Sequence, residues 1–398
     1  MVMRKILIAG LAMLVLSCGQ KGKAPAYSDA LTEDAVKSAV EDAILWQLDN
    51  MPECGRFWFN PRYVGWADGV FLSAAALWDG SPEIRRRLAE IAEKTSYEPA
   101  PKSFDPANDI AVSMLYASLY EDNPRPRFLK ERISDYQAAL DTLRGGWYML
   151  TPTMERLDFQ MKYWPVEGGL DFLLTSSHEC WSWCDALYMA APVYAKYAML
   201  TGNSEYREFM NRELWRTTGY LYSPSDSLFF RDSRFFDARE PNGAKVFWGR
   251  GNGWALAGLA RVMDLLPAGY PDRPKYEELF RSMATRLQRL QGPDGYWRTS
   301  LLDPEDFPSP ESSATGFLTF GLWWGINNGL LDEDAFLPSA QKGWSALIAA
   351  LQPGGKLGWV QPIGDTPDHI SADKNEVYGT AAFTLAGLQV LKYIHKKH

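Results

Sequence analysis

Two kinds of helical segment alternate along this chain, and that alternation limits its possible folds more than any other feature. One kind is apolar on a single face. Val36, Val40, Ile44 and Leu48 fall four apart, and comparable stretches run from Glu83 to Lys94, Phe128 to Leu143, Ser204 to Thr218, Lys275 to Gln291 and Phe336 to Leu351. The other kind is apolar or small nearly all round: Gly69 to Trp78, Ile110 to Tyr120, Ala186 to Leu200, Trp254 to Leu266, Gly316 to Gly325 and Thr380 to Tyr393. A helix without a wet face belongs in an interior. Each dry segment follows a glycine, aspartate or serine cluster, marked by Asp68, Asp109, Asp185, Arg250, Ala314 and Gly379, and the last four markers recur about every 65 residues, as repeated helical hairpins would. Six wet–dry pairs close as an all-α toroid with the dry helices inside, an (α/α)6 barrel. A parallel barrel of strands would need β-branched alternating runs; only Leu228 to Phe230 and Trp359-Val360 read as short strands.

The length of 398 residues would by itself suggest two or three domains. The hairpin repeat instead makes residues 31–398 one unit. Arg4 and Lys5, the apolar run Ile6 to Leu16 and the small residues after it read as a leader over 1–17, too short to span a membrane. Val15-Leu16-Ser17-Cys18 resembles a bacterial lipobox, which implies cleavage before Cys18, lipidation of its thiol and a tether over 18–30. The expectation is an exported protein held on the periplasmic side of the envelope, touching the membrane only through that lipid. A formal charge of −8 argues against nucleic acid as a partner. Cys54, Cys180 and Cys184 make no even disulfide framework, and Cys180, Cys184 and His178 fall one ligand short of a structural zinc site. No phosphate-binding glycine fingerprint and no Gly-x-Ser-x-Gly elbow is present, so no metal and no cofactor is expected.

In such a toroid the inner helices run the same way and bring their N-terminal ends, with unpaired N–H groups, to one mouth. Long connections at 151–179, 222–247, 292–310 and 354–376 would wall it. Two stretches there combine polar groups with indoles: Cys180-Trp181-Ser182-Trp183-Cys184-Asp185 and Trp248-Gly249-Arg250-Gly251-Asn252-Gly253-Trp254. That is the composition of a sugar pocket, with aromatic platforms and a few groups that fix hydroxyls. An aspartate at a helix start is ordinarily an N-cap. The convergence of Asp185 and Asp109 beside indoles gives a second reading, because neighbouring carboxylates and apolar walls keep one of a pair protonated as a general acid. Arg250, between two glycines, either forks onto a substrate carboxylate or pairs with one of the aspartates.

Phe247 to Trp254, with Trp183-Cys184-Asp185-Ala186-Leu187-Tyr188-Met189 before it and Gln291-Gly292-Pro293-Asp294-Gly295-Tyr296-Trp297 after it, resembles glycoside hydrolase family 105, the unsaturated rhamnogalacturonyl hydrolases, related to the family 88 unsaturated glucuronyl hydrolases. The resemblance covers most of the chain from about residue 33. It implies an (α/α)6 barrel that removes a terminal 4,5-unsaturated uronic acid from lyase-generated oligosaccharides by hydrating its vinyl ether. Asp185 would be the acid that protonates C4, with water adding at C5, and Asp109 the second carboxylate. Arg250, Trp248, Trp254, Trp183, Trp181, Arg231 and Trp297 would make up the substrate site. Two departures bear on the substrate: Leu174-Thr175 stand where the best-known members have a His-Lys pair, and Arg231 stands where they have a histidine. The rival readings are a conventional inverting glycosidase of the same fold and a sugar-binding lipoprotein without catalysis.

Overall fold

A computed structural model describes residues 26–54, 63–100, 106–122, 146–163, 169–172 and 181–397. The inner helices are α2 (Trp66–Ala75), α4 and α5 (Pro106–Asp109, Ser113–Asp122), α7 and α8 (Ala186–Met189, Ala191–Thr201), α10 (Gly249–Leu265), α12 (Ser312–Asn327) and α14 (Val377–Lys397). They neighbour one another in that order, and α14 packs back on α2 to close the ring. Outside lie α1 (Glu33–Cys54), α3 (Pro82–Lys94), α6 (Thr151–Tyr163), α9 (Ser204–Leu221), α11 (Arg273–Arg289) and α13 (Glu333–Ala350). This is the (α/α)6 barrel that the alternation predicts. The alternation has a physical basis: α12 is buried along its whole length, whereas α11 buries only one stripe, Tyr276, Leu279, Phe280, Met283, Ala284 and Leu287.

The third outer element among the described residues was not expected as a helix. Residues 151–163, read as part of a loop, form α6, which bridges two inner helices: Thr153 donates to Ser113 on α5 at 2.9 Å, and Gln160 accepts from Tyr194 on α8 at 2.8 Å. Met154, Leu157 and Met161 supply the helical apolar stripe. The expected helix at Phe128 to Leu143 lies outside the described residues, as do the leader, Cys18, His178, Cys180 and Leu174-Thr175. Of the two strand candidates, Leu228–Phe229 (β2) pairs antiparallel with Tyr222–Ser223 (β1). Trp359 instead takes a left-handed conformation, φ 56°, and its carbonyl accepts the Ser312 N–H at the start of α12.

Two inner helices are interrupted after their first turn. Pro192 explains the break between α7 and α8, because its ring meets the carbonyl four residues back and it offers no N–H to bond it. Where inner helices press closest, glycine is required: a Cβ on Gly258 of α10 would sit 2.4 Å from the Leu187 carbonyl oxygen of α7. Just below the first turns, rings from four inner helices meet. Trp254 (α10) lies 4.1 Å from Phe317 (α12), 4.7 Å from Tyr188 (α7) and 6.2 Å from Tyr378 (α14). Since α12 separates α10 from α14 in the ring, a Trp254–Tyr378 contact places these rings on the barrel axis, where they form a floor.

Candidate active site

The site stands on that floor, at the N-terminal ends of the inner helices. Asp185 occupies the N-cap position of α7, yet its backbone is helical and its side chain makes no capping bond. Its carboxyl is therefore not used up by the helix. It is 9 % exposed, and its nearest polar neighbours are the Cys184 thiol, donating at 3.5 Å, and Arg231 Nε, 3.7 Å from Oδ2. Burial raises the Asp185 carboxyl above its ordinary value, and the charges of Arg231 and Arg250 pull it part of the way back. The result is a carboxyl group that favours holding its proton. Burial also pushes the Cys184 thiol well up, so it is a neutral donor rather than a nucleophile.

Asp109 ends α4, which packs beside α7, so the two aspartates do stand on neighbouring elements. Asp109 is held more tightly by its cation than Asp185 is, with Arg156 Nη1 of α6 donating to it at 3.1 Å. Arg250 does not pair with an aspartate. Its guanidinium donates to the carbonyls of Gln361 at 2.8 Å, Pro362 at 3.0 Å and Gly364 at 3.4 Å, and lies between the rings of Trp248 and Tyr378, at 4.3 and 4.7 Å. Gln361 is held from other sides as well: Trp248 Nε1 donates to its side chain at 2.8 Å, Tyr378 Oη to its carbonyl at 2.6 Å, and its own N–H reaches Glu311 at 3.0 Å. Arg250 and Trp248 thus fasten the 361–364 loop over the mouth.

The indoles fall into different places from those expected. Trp181 is fully buried in the seam between α8 and α9, against Tyr194 and Phe209, and Trp297 is fully buried with its N–H on the Leu287 carbonyl of α11 at 2.7 Å. Both are core residues and offer no open face. Trp254 belongs to the floor, and Trp183 is buried two residues before Asp185. A part-buried ring at the mouth is Trp66, stacked on Tyr378 with centroids 5.7 Å apart and planes 9° from parallel.

Beside that stack lie two carboxyls that the sequence reading passed over. Burial lifts Asp68 to about 6 and Glu376 to about 7, Glu376 being further raised by Asp68 and lowered by Arg250. Asp68 Oδ1 and Glu376 Oε2 are buried without a hydrogen-bond partner. A signal for Asp68 was available: Trp66-Ala67-Asp68 repeats, at the start of one inner helix, the Trp183-Cys184-Asp185 pattern at the start of another. Glu376 carries no such mark. Among the described residues no group of three or more His, Cys, Asp and Glu could hold a metal ion.

A buried carboxyl raised by its surroundings on an aromatic floor, a second carboxylate paired with Arg156 on a neighbouring helix and arginines around them can deliver a proton to a bound sugar and steady the charge that results. The chain is also similar to known proteins. The chain is 34% identical over 376 residues to an unsaturated 3S-rhamnoglycuronyl hydrolase of Alteromonas sp. (strain LOR), covering 90% of this chain and 86% of the relative. It is 41% identical over 295 residues to the enzyme of the same name from Formosa agariphila, covering 72% and 73% of the two. Among solved structures, a glycosyl hydrolase family 88 protein from Bacteroides vulgatus superimposes with a TM-score of 0.72 at 28% identity, over 90% of this chain and 99% of that one. The model of Glycosyl Hydrolase Family 88 matches residues 39–394, from the first inward-facing turn of α1 to the last turns of α14, and so spans every helix of the ring: the chain belongs to that family.

Proposed function

We propose that the protein releases a terminal 4,5-unsaturated uronyl residue from an oligosaccharide in which that residue is joined to rhamnose. The names of the two relatives support the rhamnose linkage. The observation that carries the chemistry is Asp185, a buried carboxyl raised by its surroundings and free of helix-capping duty. In the proposed reaction Asp185 gives its proton to C4. The π electrons form the C4–H bond, and positive charge develops on C5 and the ring oxygen. Water adds at C5 and loses its proton to a carboxylate, a role for Asp109 that its ion pair with Arg156 supports. The C5 hemiketal then opens, leaving C1 as a hemiacetal that expels the rest of the chain as an alcohol. One water is consumed and no cofactor enters.

Asp185→Asn keeps the shape of the side chain and cannot supply the proton, so turnover is expected to fall by at least about a hundredfold with unchanged folding. In deuterium oxide the released sugar should carry deuterium at C4, and ultraviolet absorbance of the conjugated uronate should fall in step with release. Efficient cleavage of the saturated uronoside without label at C4 would overturn hydration in favour of direct inverting hydrolysis. For location, the lipobox-like sequence supports an exported protein anchored through acylated Cys18. Cys18→Ser is expected to move it from the membrane pellet to the soluble fraction, and unchanged pelleting would remove that reading.

A further inference from the structure

Arg231 lies against the proposed acid, and a permanent cation there would be expected to strip the proton from it. Guanidinium and carboxylate normally close into a fork with N–H···O bonds of about 2.7–2.9 Å. Here they do not: Arg231 Nε stands 3.7 Å from Asp185 Oδ2, too far for a hydrogen bond, and it is buried without any hydrogen-bond partner. The cause is on the other side of the guanidinium. Asp232 is fully buried and accepts from Arg231 Nη1 at 2.6 Å. Asp232 is itself fixed by Arg234, whose Nε and Nη2 donate to its two oxygens at 2.9 and 2.8 Å and whose backbone N–H donates at 3.0 Å. Arg231 and Arg234 both lie over the Phe172 ring, at 5.0 and 4.3 Å, and Arg234 reaches Asp365 at 2.6 Å, so the assembly is braced from two further segments.

We infer that Asp232 is a positioning residue for the reaction: by holding Arg231 back from Asp185 it leaves the acid its proton, while keeping a cation close enough to receive an anionic substrate group. This rests on Asp185 being the general acid. The charged and titratable groups around Asp185 are Arg231 from the 230–232 segment, Arg250 from α10, the adjoining Cys184 thiol and, on neighbouring α4, Asp109. Of these, Arg231 is the one whose other edge is tied to a competing carboxylate. Burial works against ionisation of Asp232, but Arg234 and Arg231 outweigh it and hold that carboxyl below its ordinary value, so it competes as a full anion at neutral pH.

The test is the pH profile of kcat/KM, whose alkaline limb reports loss of the acid's proton in the free enzyme. Asp232→Asn releases Arg231 onto Asp185, and the limb should move down by about one pH unit. Arg231→Gln removes the cation and should move the limb up. A titration of the Asp185 carboxyl by NMR with 13C-labelled aspartate, without substrate, should show the same opposite shifts. If Asp232→Asn does not fold, Asp232→Glu carries the comparison: it keeps the charge but displaces it, and a smaller downward shift is expected. A lowered melting temperature with the limb unmoved in the Asp232 variants would make Asp232 merely structural and sink the inference. Full activity of Asp185→Asn would instead sink the reading beneath it, so the two failures are separable.

Discussion

At the scale of single residues, much of the proposed chemistry was legible because it sits in short, unusual strings. Asp185 was readable from an aspartate between a tryptophan pair and an apolar helix, and Arg250 from its glycine neighbours. What the string could not show was direction. Trp181 and Trp248 look alike in sequence, but one faces an outer helix and the other lies under a guanidinium, a difference made by which neighbouring helix closes over each ring. Arg250 likewise does not take the aspartate partner open to it on paper, and three carbonyls of one loop hold it instead. That arrangement uses the planar fork, which lysine lacks. Arg250→Lys should therefore behave as a loss, lowering stability by roughly 2–3 kcal/mol through unmade buried hydrogen bonds. It should also open the chain near 361–364 to limited proteolysis. A melting temperature and cleavage pattern like the wild type would show that the loop holds without it.

At the scale of elements, the wet and dry helices were readable because burial on every side leaves a composition that no exposed helix tolerates. Boundaries inside a dry segment were harder. Ala186 to Leu200 reads as one helix, yet Pro192 splits it, and the short first half places Asp185. The place of α6 was missed because its stripe of Met154, Leu157 and Met161 is narrow, and the residues after it suggested one long loop. Close packing of α10 on α7 gives a test of this scale. Gly258→Ala would drive a methyl to 2.4 Å from the Leu187 carbonyl, and backbone there cannot give way without moving α7. The expected cost is about 1–3 kcal/mol. Because Leu187 follows Asp185 by two residues, kcat should fall more than KM rises, which distinguishes a displaced acid from general loosening. A stable variant with unchanged kcat would show that α7 is not positioned by this contact.

For the molecule as a whole, stability should carry the mark of carboxyls that hold protons in the folded state. A group whose folded value is raised stabilises the fold fully at pH below its unfolded value near 4, and that contribution is lost as pH rises through the folded value. For Asp68 and Glu376 the window runs up to about 6 and about 7. The melting temperature should thus decline between about pH 4 and about pH 7, and Glu376→Gln should flatten part of that decline. Equal slopes in the two proteins would show that Glu376 ionises as freely folded as unfolded. The floor of rings formed by Tyr188, Trp254, Phe317 and Tyr378 has a consequence of another kind. A barrel stopped just beneath its mouth cannot be threaded, so a polymer meets it only with a tip. At equal mass, long chains would be consumed more slowly than short ones, in proportion to how few tips they present, and digestion would shorten every molecule from one side without ever cutting it in the middle.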